Sequence, residues 1–177
     1  GPCLTEDFDD GDPGGWTPAD PGAWSVMAET PASTNKLWQA AAGSGPILHA
    51  YLDRVLDDFA FAADVRFATA SFVGIRWRAA NVTSPVGDGY LLRLLREGTV
   101  VLDRLEGAGP AQELGYGWAA FDPGQVTVRI AAAGARLRVV VDDQLVLDVI
   151  DPEPLPAPGG IVLLACGGAV RFDNLAL

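Results

Sequence analysis

DFAFAADVRF, residues 58 to 67, decides the fold. Phe59, Phe61, Ala63, Val65 and Phe67 fall on one side of an extended chain, and Ala60, Ala62, Asp64 and Arg66 on the other. A repeat of two with one apolar face marks a β-strand laid on a core. The same reading extends outward. In QVTVRI, Val126, Val128 and Ile130 alternate with Thr127 and Arg129. In RLRVVV, Leu137, Val139 and Val141 alternate with Arg136, Arg138 and Val140. Turn residues recur at strand-and-turn spacing: DPGGW, GSGP, SPVGDG, REG, GAGP, DPG, AAG and CGG. VVVDDQLVLDV reads as a hairpin with Asp142-Asp143 at its tip. PEPLPAP, residues 152–158, reads as a stiff loop, because each proline removes a ladder donor. Only ILHAYLDRVLDDF leaves two readings open. Leu48, Leu52, Val55 and Leu56 have helical spacing, yet a strand and turn fit equally well.

Many short strands in one chain build a β-sandwich or barrel. At 177 residues the chain makes one domain with a real core, burying about 70% of its unfolded surface. Gly1-Pro2 reads as the remnant of a protease cut, and 3–177 as a single domain. No apolar run approaches the ~20 residues that span a bilayer. No secretory signal is visible, which leaves a mature, processed fragment open. The net charge is −11, from 12 basic and 23 acidic residues. Nucleic acid and anionic membrane are thereby excluded as main partners, since both demand a basic footprint. Cys3 and Cys166 lack metal-ligand spacing; a bridge between them and two separate thiols both stay open.

TEDFDDGDPGGW, residues 5–16, carries five acids within its first eight positions. An EF-hand loop counted from Asp7 fails, because Gly11, Asp12 and Pro18 stand where acid, glycine and glutamate belong. The segment reads instead as a first strand and its turn.

Taken in order, EDFDDGDPGGW, GAWSV, DFAFAADVRF, VGIRWRA, GYLLRLL, VTVRIAAAGARLRVVVDDQLVLDV and GGIVLLACGGAVRFDNLAL resemble the concanavalin A-like jelly-roll domains of the laminin-G and carbohydrate-binding-module kind. The resemblance spans residues 4–177, with a poorly matching stretch at 30–56. It implies an all-β, two-sheet antiparallel jelly-roll β-sandwich, with first and last strands adjacent and a ligand on the concave sheet. It also implies a secreted, cell-surface or periplasmic bacterial protein. Several relatives bind a structural calcium ion, so Asp173 would be the last-strand ligand and Glu6 or Asp9 its first-strand neighbour. A plainer role for Asp173 is an edge cap or an arginine pair.

No catalytic set is apparent. His49 is the one histidine and lacks a metal-spaced partner. The E-x-D-x-x-E strand of jelly-roll glucanases has no counterpart. Adjacent Asp57 and Asp58 point opposite ways on a strand. The informative residues are polar and lie opposite the core face. With Ile75, Trp77, Leu92 and Leu94 inward, three consecutive antiparallel strands would gather Asp64, Arg66, Arg76, Arg78 and Arg93 on one sheet face. Ala60 and Ala62 beside them leave room for a guest. Guanidinium forks suit sugar hydroxyls or a uronate; a solvated ion ladder is the plainer use of the same residues. Trp16, Trp38, Tyr90 and Tyr116 are candidate sugar platforms, while Trp24, Trp77 and Trp118 read as core. The expectation is a non-catalytic carbohydrate-binding module with a glycan partner. A structural or adhesion module with a protein partner is the alternative, and a hydrolase or lyase with a dispersed site stands behind both.

Overall fold

The computed structural model describes residues 4–41, 47–156 and 158–177. Among these, one 3-10 turn at Pro21–Ala23 interrupts an otherwise all-β chain. The strands are β1 (Thr5–Glu6), β2 (Thr17–Pro18), β3 (Trp24–Ala28), β4 (Lys36–Ala40), β5 (Ile47–Leu56), β6 (Phe59–Phe67), β7 (Phe72–Ala79) and β8 (Gly89–Leu95). They continue with β9 (Thr99–Leu105), β10 (Gln112–Trp118), β11 (Val126–Ala133), β12 (Arg136–Val141), β13 (Gln144–Ile150), β14 (Gly159–Cys166) and β15 (Val170–Ala176). Among the described residues no helix is long and apolar enough to cross a membrane.

Two antiparallel sheets face each other. The first runs β13-β12-β11-β6-β15-β4-β3, with β1 attached to β15; the second runs β10-β9-β8-β7-β14-β5-β2. First and last strands pair, Thr5 opposite Ala176 and Glu6 opposite Leu175. The alternation fixes the filling. Phe61, Val65 and Phe67 from β6 meet Ile75, Trp77, Leu92 and Leu94 from the opposing sheet in one continuous core. Aromatic rings make up its far end, where Trp24 packs 4.4 Å from Trp38 and 6.0 Å from Phe172, centroid to centroid. Segment 47–56 is strand, not helix: Leu48, Ala50 and Leu52 enter the core. The acids of the opening turn cap amides two residues on, Asp7 to Asp9, Asp10 to Asp12 and Asp12 to Gly14. Such side-chain turns explain an acid-rich run without any ion. Asp142 and Asp143 both take positive φ, 46° and 66°, the conformation a two-residue hairpin turn demands. Cys3 lies outside the described residues, and with it the question of its pairing. Cys166 is buried, and burial alone pushes its thiol up to about 11.

One expectation fails at this level. β6 belongs to the first sheet and β7 and β8 to the second. Asp64 and Arg66 therefore face away from the core on one side of the molecule, and Arg76 and Arg93 on the other. Period two reports that a side chain turns outward. It does not report which sheet the strand joins, and the chain crosses between sheets after Phe67.

Candidate functional site

Each expected site residue has a definite place. On the outer face of the first sheet, Asp64 accepts from the Thr127 hydroxyl (2.6 Å) and the Asn174 amide (2.8 Å). Arg66 pairs with Glu29 at 2.5 Å. Asp173 accepts from Asn35 (3.1 Å) and the Asn174 backbone (2.8 Å). The three acids expected to hold calcium do not converge. Glu6 folds back onto the Phe8 amide at 2.7 Å. Asp9 holds Lys36 through both its carboxylate and its carbonyl. Asp173 is buried beside Asp64, and desolvation raises its pKa. Among the described residues no three acids, histidines or cysteines gather in a metal-binding group.

On the second sheet, two expected ligand groups prove structural. Arg76 is fully buried on the outer side, under residues 80–88. It donates to the carbonyls of Asn81 (2.8 Å), Ser84 (2.7 Å) and Asp88 (3.0 Å). Arg78 has φ of 48°, which breaks the strand alternation. Its guanidinium lies 5.7 Å from the Tyr90 ring centroid and donates to Gly134 O. It thereby ties the two sheets at one end. Tyr90 is core, not platform. Its ring sits 5.7 Å from Trp77, its hydroxyl donates to buried Asp151 and it accepts from the Leu155 amide. Trp16 and Trp38 are likewise core. Conversely, Trp118, expected inside, is 59% exposed.

What remains is an open half of the second sheet's outer face. Register places Gly74, Arg93, Val101 and Tyr116 in one row across β7, β8, β9 and β10. Leu91, Asp103 and Glu113 form the next row, and Thr99 and Trp118 lie in the row on the other side. Tyr116 is 64% exposed, and Trp118 is pinned by its Nε1 donating to Glu97 O at 3.2 Å. Strand spacing sets Tyr116 about 10 Å from Arg93. Arg93 donates to Asp103 at 2.8 Å and stays partly exposed. Glycine at 74 keeps a low shelf between β14 and Arg93, since a Cβ there would sit 2.8 Å from Leu164 Cδ1. Segment 80–88 closes the other half. Val82 packs on Val162, Leu164 and Cys166 in a small second core, and Thr83 O meets His49 Nε2 at 3.0 Å. Burial, rather than any charge, is the main reason the His49 pKa is lowered.

The exposed rings and Arg93 are groups suited to recognition. A flat ring beside a guanidinium-carboxylate pair matches the C–H face and the hydroxyl rim of a sugar. Asp103 is committed to Arg93, and Glu113 is exposed rather than held in an apolar pocket of the kind that keeps a carboxyl protonated. Two signals for this site were in the sequence: Tyr116 alternates with two glycines in GYG, and Arg93 interrupts an apolar strand.

A two-sheet antiparallel jelly roll with this strand order has the concanavalin A-like fold. Within that class the chain belongs to the 3-keto-alpha-glucoside-1,2-lyase-like domain family, whose profile matches residues 4–177. Among solved structures it resembles the carbohydrate-binding module CBM66 from Bacillus subtilis, with TM-score 0.67 and 19% identity over 91% of this chain and 93% of that one. The Bacillus licheniformis beta-glucanase gives TM-score 0.74 at 13% identity, covering 99% and 97%. A prokaryotic beta-1,3-1,4-glucanase (lichenase) from a mouse hindgut metagenome gives 0.68 at 14%, covering 99% and 98%. At these identities the likeness is one of fold. No curated protein sequence matches the chain.

Proposed function

We propose that the chain is a non-catalytic carbohydrate-binding domain that takes a glycan on the open half of the second sheet. The supporting observation is the pair of exposed rings, Tyr116 and Trp118, on the same face as Arg93 and Asp103. Each ring offers a flat apolar surface, and Arg93, held in place by buried Asp103, offers donors at the sugar's rim. Binding is measured by calorimetry after a glycan screen. Tyr116→Ala and Trp118→Ala each weaken it about tenfold, or roughly 1.4 kcal/mol, with the melting temperature unchanged. Binding that survives both substitutions removes this reading.

A second reading is favoured by the family match and by His49. An elimination on a 3-keto sugar needs a base to remove the proton beside the ketone. His49 lies on the same outer face, its ring oriented by Thr83 O and its lowered pKa keeping the imidazole neutral. Release of the aglycone from a 3-keto-glucoside, lost in His49→Gln with glycan binding retained, would establish this second reading over the first.

A further inference from the structure

The outer face of the first sheet carries a depression that the carbohydrate site does not use. Its volume is about 500 Å³, with Ala60, Ala62, Ala131 and Ala176 as its floor and Arg129 and Arg138 beside it. Register explains the shape. Ala62 pairs with both Ala176 and Arg129, and Ala60 pairs with Ala131, which pairs in turn with Arg138. Four methyl groups on three adjacent strands thus make a flat apolar floor about 10 Å wide. Phe61 and Ile130 point the other way, into the core, and Val140 and Leu177 add apolar surface to the lining.

The two arginines differ in what they have left to give. Arg129 pairs with Asp143 at the hairpin tip. Asp148 is held by Arg136 through two hydrogen bonds, 2.8 and 2.7 Å, and the first of the causes pulling its pKa to about 2 is that same arginine. Arg138 approaches Asp148 only at 3.4 Å and is 47% exposed. Arg136 and Arg138 thus share one aspartate, in a chain whose net charge is −11. A half-exposed guanidinium that shares its carboxylate with Arg136, next to a flat apolar floor, selects for a ligand that is both anionic and apolar.

The geometry points to a second binding site, distinct from the carbohydrate face, for a small amphipathic anion: a flat apolar body of about two fused rings carrying one carboxylate. The body lies on the alanine floor, and the carboxylate meets Arg138. A volume of about 500 Å³ accommodates such a molecule within the usual range for small-molecule sites.

The probe is 2-naphthoate, titrated into the full chain and followed by amide shifts in two-dimensional NMR. Saturable shifts are expected on β6, β11, β12 and β15 and not on β10. Arg138→Gln, an exposed change that leaves the fold intact, weakens binding about tenfold. Ala62→Leu fills the floor and abolishes it. Tyr116→Ala leaves it unchanged, which separates this site from the carbohydrate face. Equal binding of uncharged 2-naphthamide overturns the anion assignment. Absence of saturable shifts overturns the site. Ligand-free shifts of the same amides with protein concentration would assign the face to a second copy of the chain and overturn the small-molecule reading.

Discussion

Arg76 brings a positive charge into a fully buried position, where among the described residues it contacts no carboxylate. Three backbone carbonyls compensate, all from the segment that covers it. Charge-assisted hydrogen bonds are stronger than neutral ones, and carbonyls left unpaired in a buried place are costly. Arg76→Met is expected to lower stability by about 3 kcal/mol, read as a urea midpoint shift, and to expose the amides of residues 80–88 to exchange. A change of under about 0.5 kcal/mol would show that the segment holds its shape without the guanidinium. His49, on β5 and held against the same segment through Thr83 O, carries a pH signature. Its folded pKa lies below the ordinary 6.5, so the unfolded chain binds the proton more readily. Its contribution is nil above 6.5 and grows increasingly unfavourable as the pH falls from there to the folded value, where it levels off. Urea midpoints from about pH 7 to about pH 5 should fall more steeply in the wild type than in His49→Gln. Sequence placed Arg76 outward, which is right, and offered it to a ligand, which is wrong. Outward from a core is not the same as open to solvent, and the covering segment has no periodicity to reveal where it will fold.

At the scale of elements, β10 is the strand on which the carbohydrate reading depends. Its Gly115 and Gly117 let it lie close over β13: a Cβ at Gly117 would stand 2.7 Å from Val146 Cγ1, and one at Gly115 3.2 Å from both Leu147 and Val149. The sandwich is closed along that side by the absence of side chains. Gly117→Val should lower stability by about 1–3 kcal/mol through overpacking, measured by thermal or urea unfolding. It should also weaken glycan binding, because Tyr116 and Trp118 flank it and move with the strand. Loss of stability with undiminished binding would detach the rings from the strand's seating. β6, β11 and β12 were legible because each holds a strict alternation over six residues or more. β5 was ambiguous for a physical reason. Leu48 and Leu52 satisfy a helical repeat and a strand repeat alike, and only pairing with β14 decides between them. Trp118 was expected inside because the resembled family tends to bury an aromatic at that place. Here Gly117 and Ala119 turn inward on either side of it, and the ring is left outside.

For the whole molecule, the deciding feature is the position of the last hairpin. β14 lies between β7 and β5 in one sheet, and β15 lies between β6 and β4 in the other. Both layers are thus completed by the last two strands, and Phe172 and Val170 are fully buried. Removal of residues 170–177 is expected to unfold the domain, since β6 and β4 then face each other across a missing strand. Circular dichroism and amide dispersion check this; a dispersed spectrum from the shortened chain would mean that the first sheet closes without its centre. The fold class was readable from composition and alternation. The sheet assignment was not, because it is fixed by contacts between residues more than a hundred positions apart, such as Asp64 with Asp173.

The placement of β14 and β15 also bears on synthesis. Until residues 159–176 have emerged from the ribosome, the strands on either side of each gap show bare ladders and greasy inner surfaces, the state most open to misassociation. Codon choice or chaperone supply near the end of this coding stretch should therefore govern yield more than the same changes made earlier.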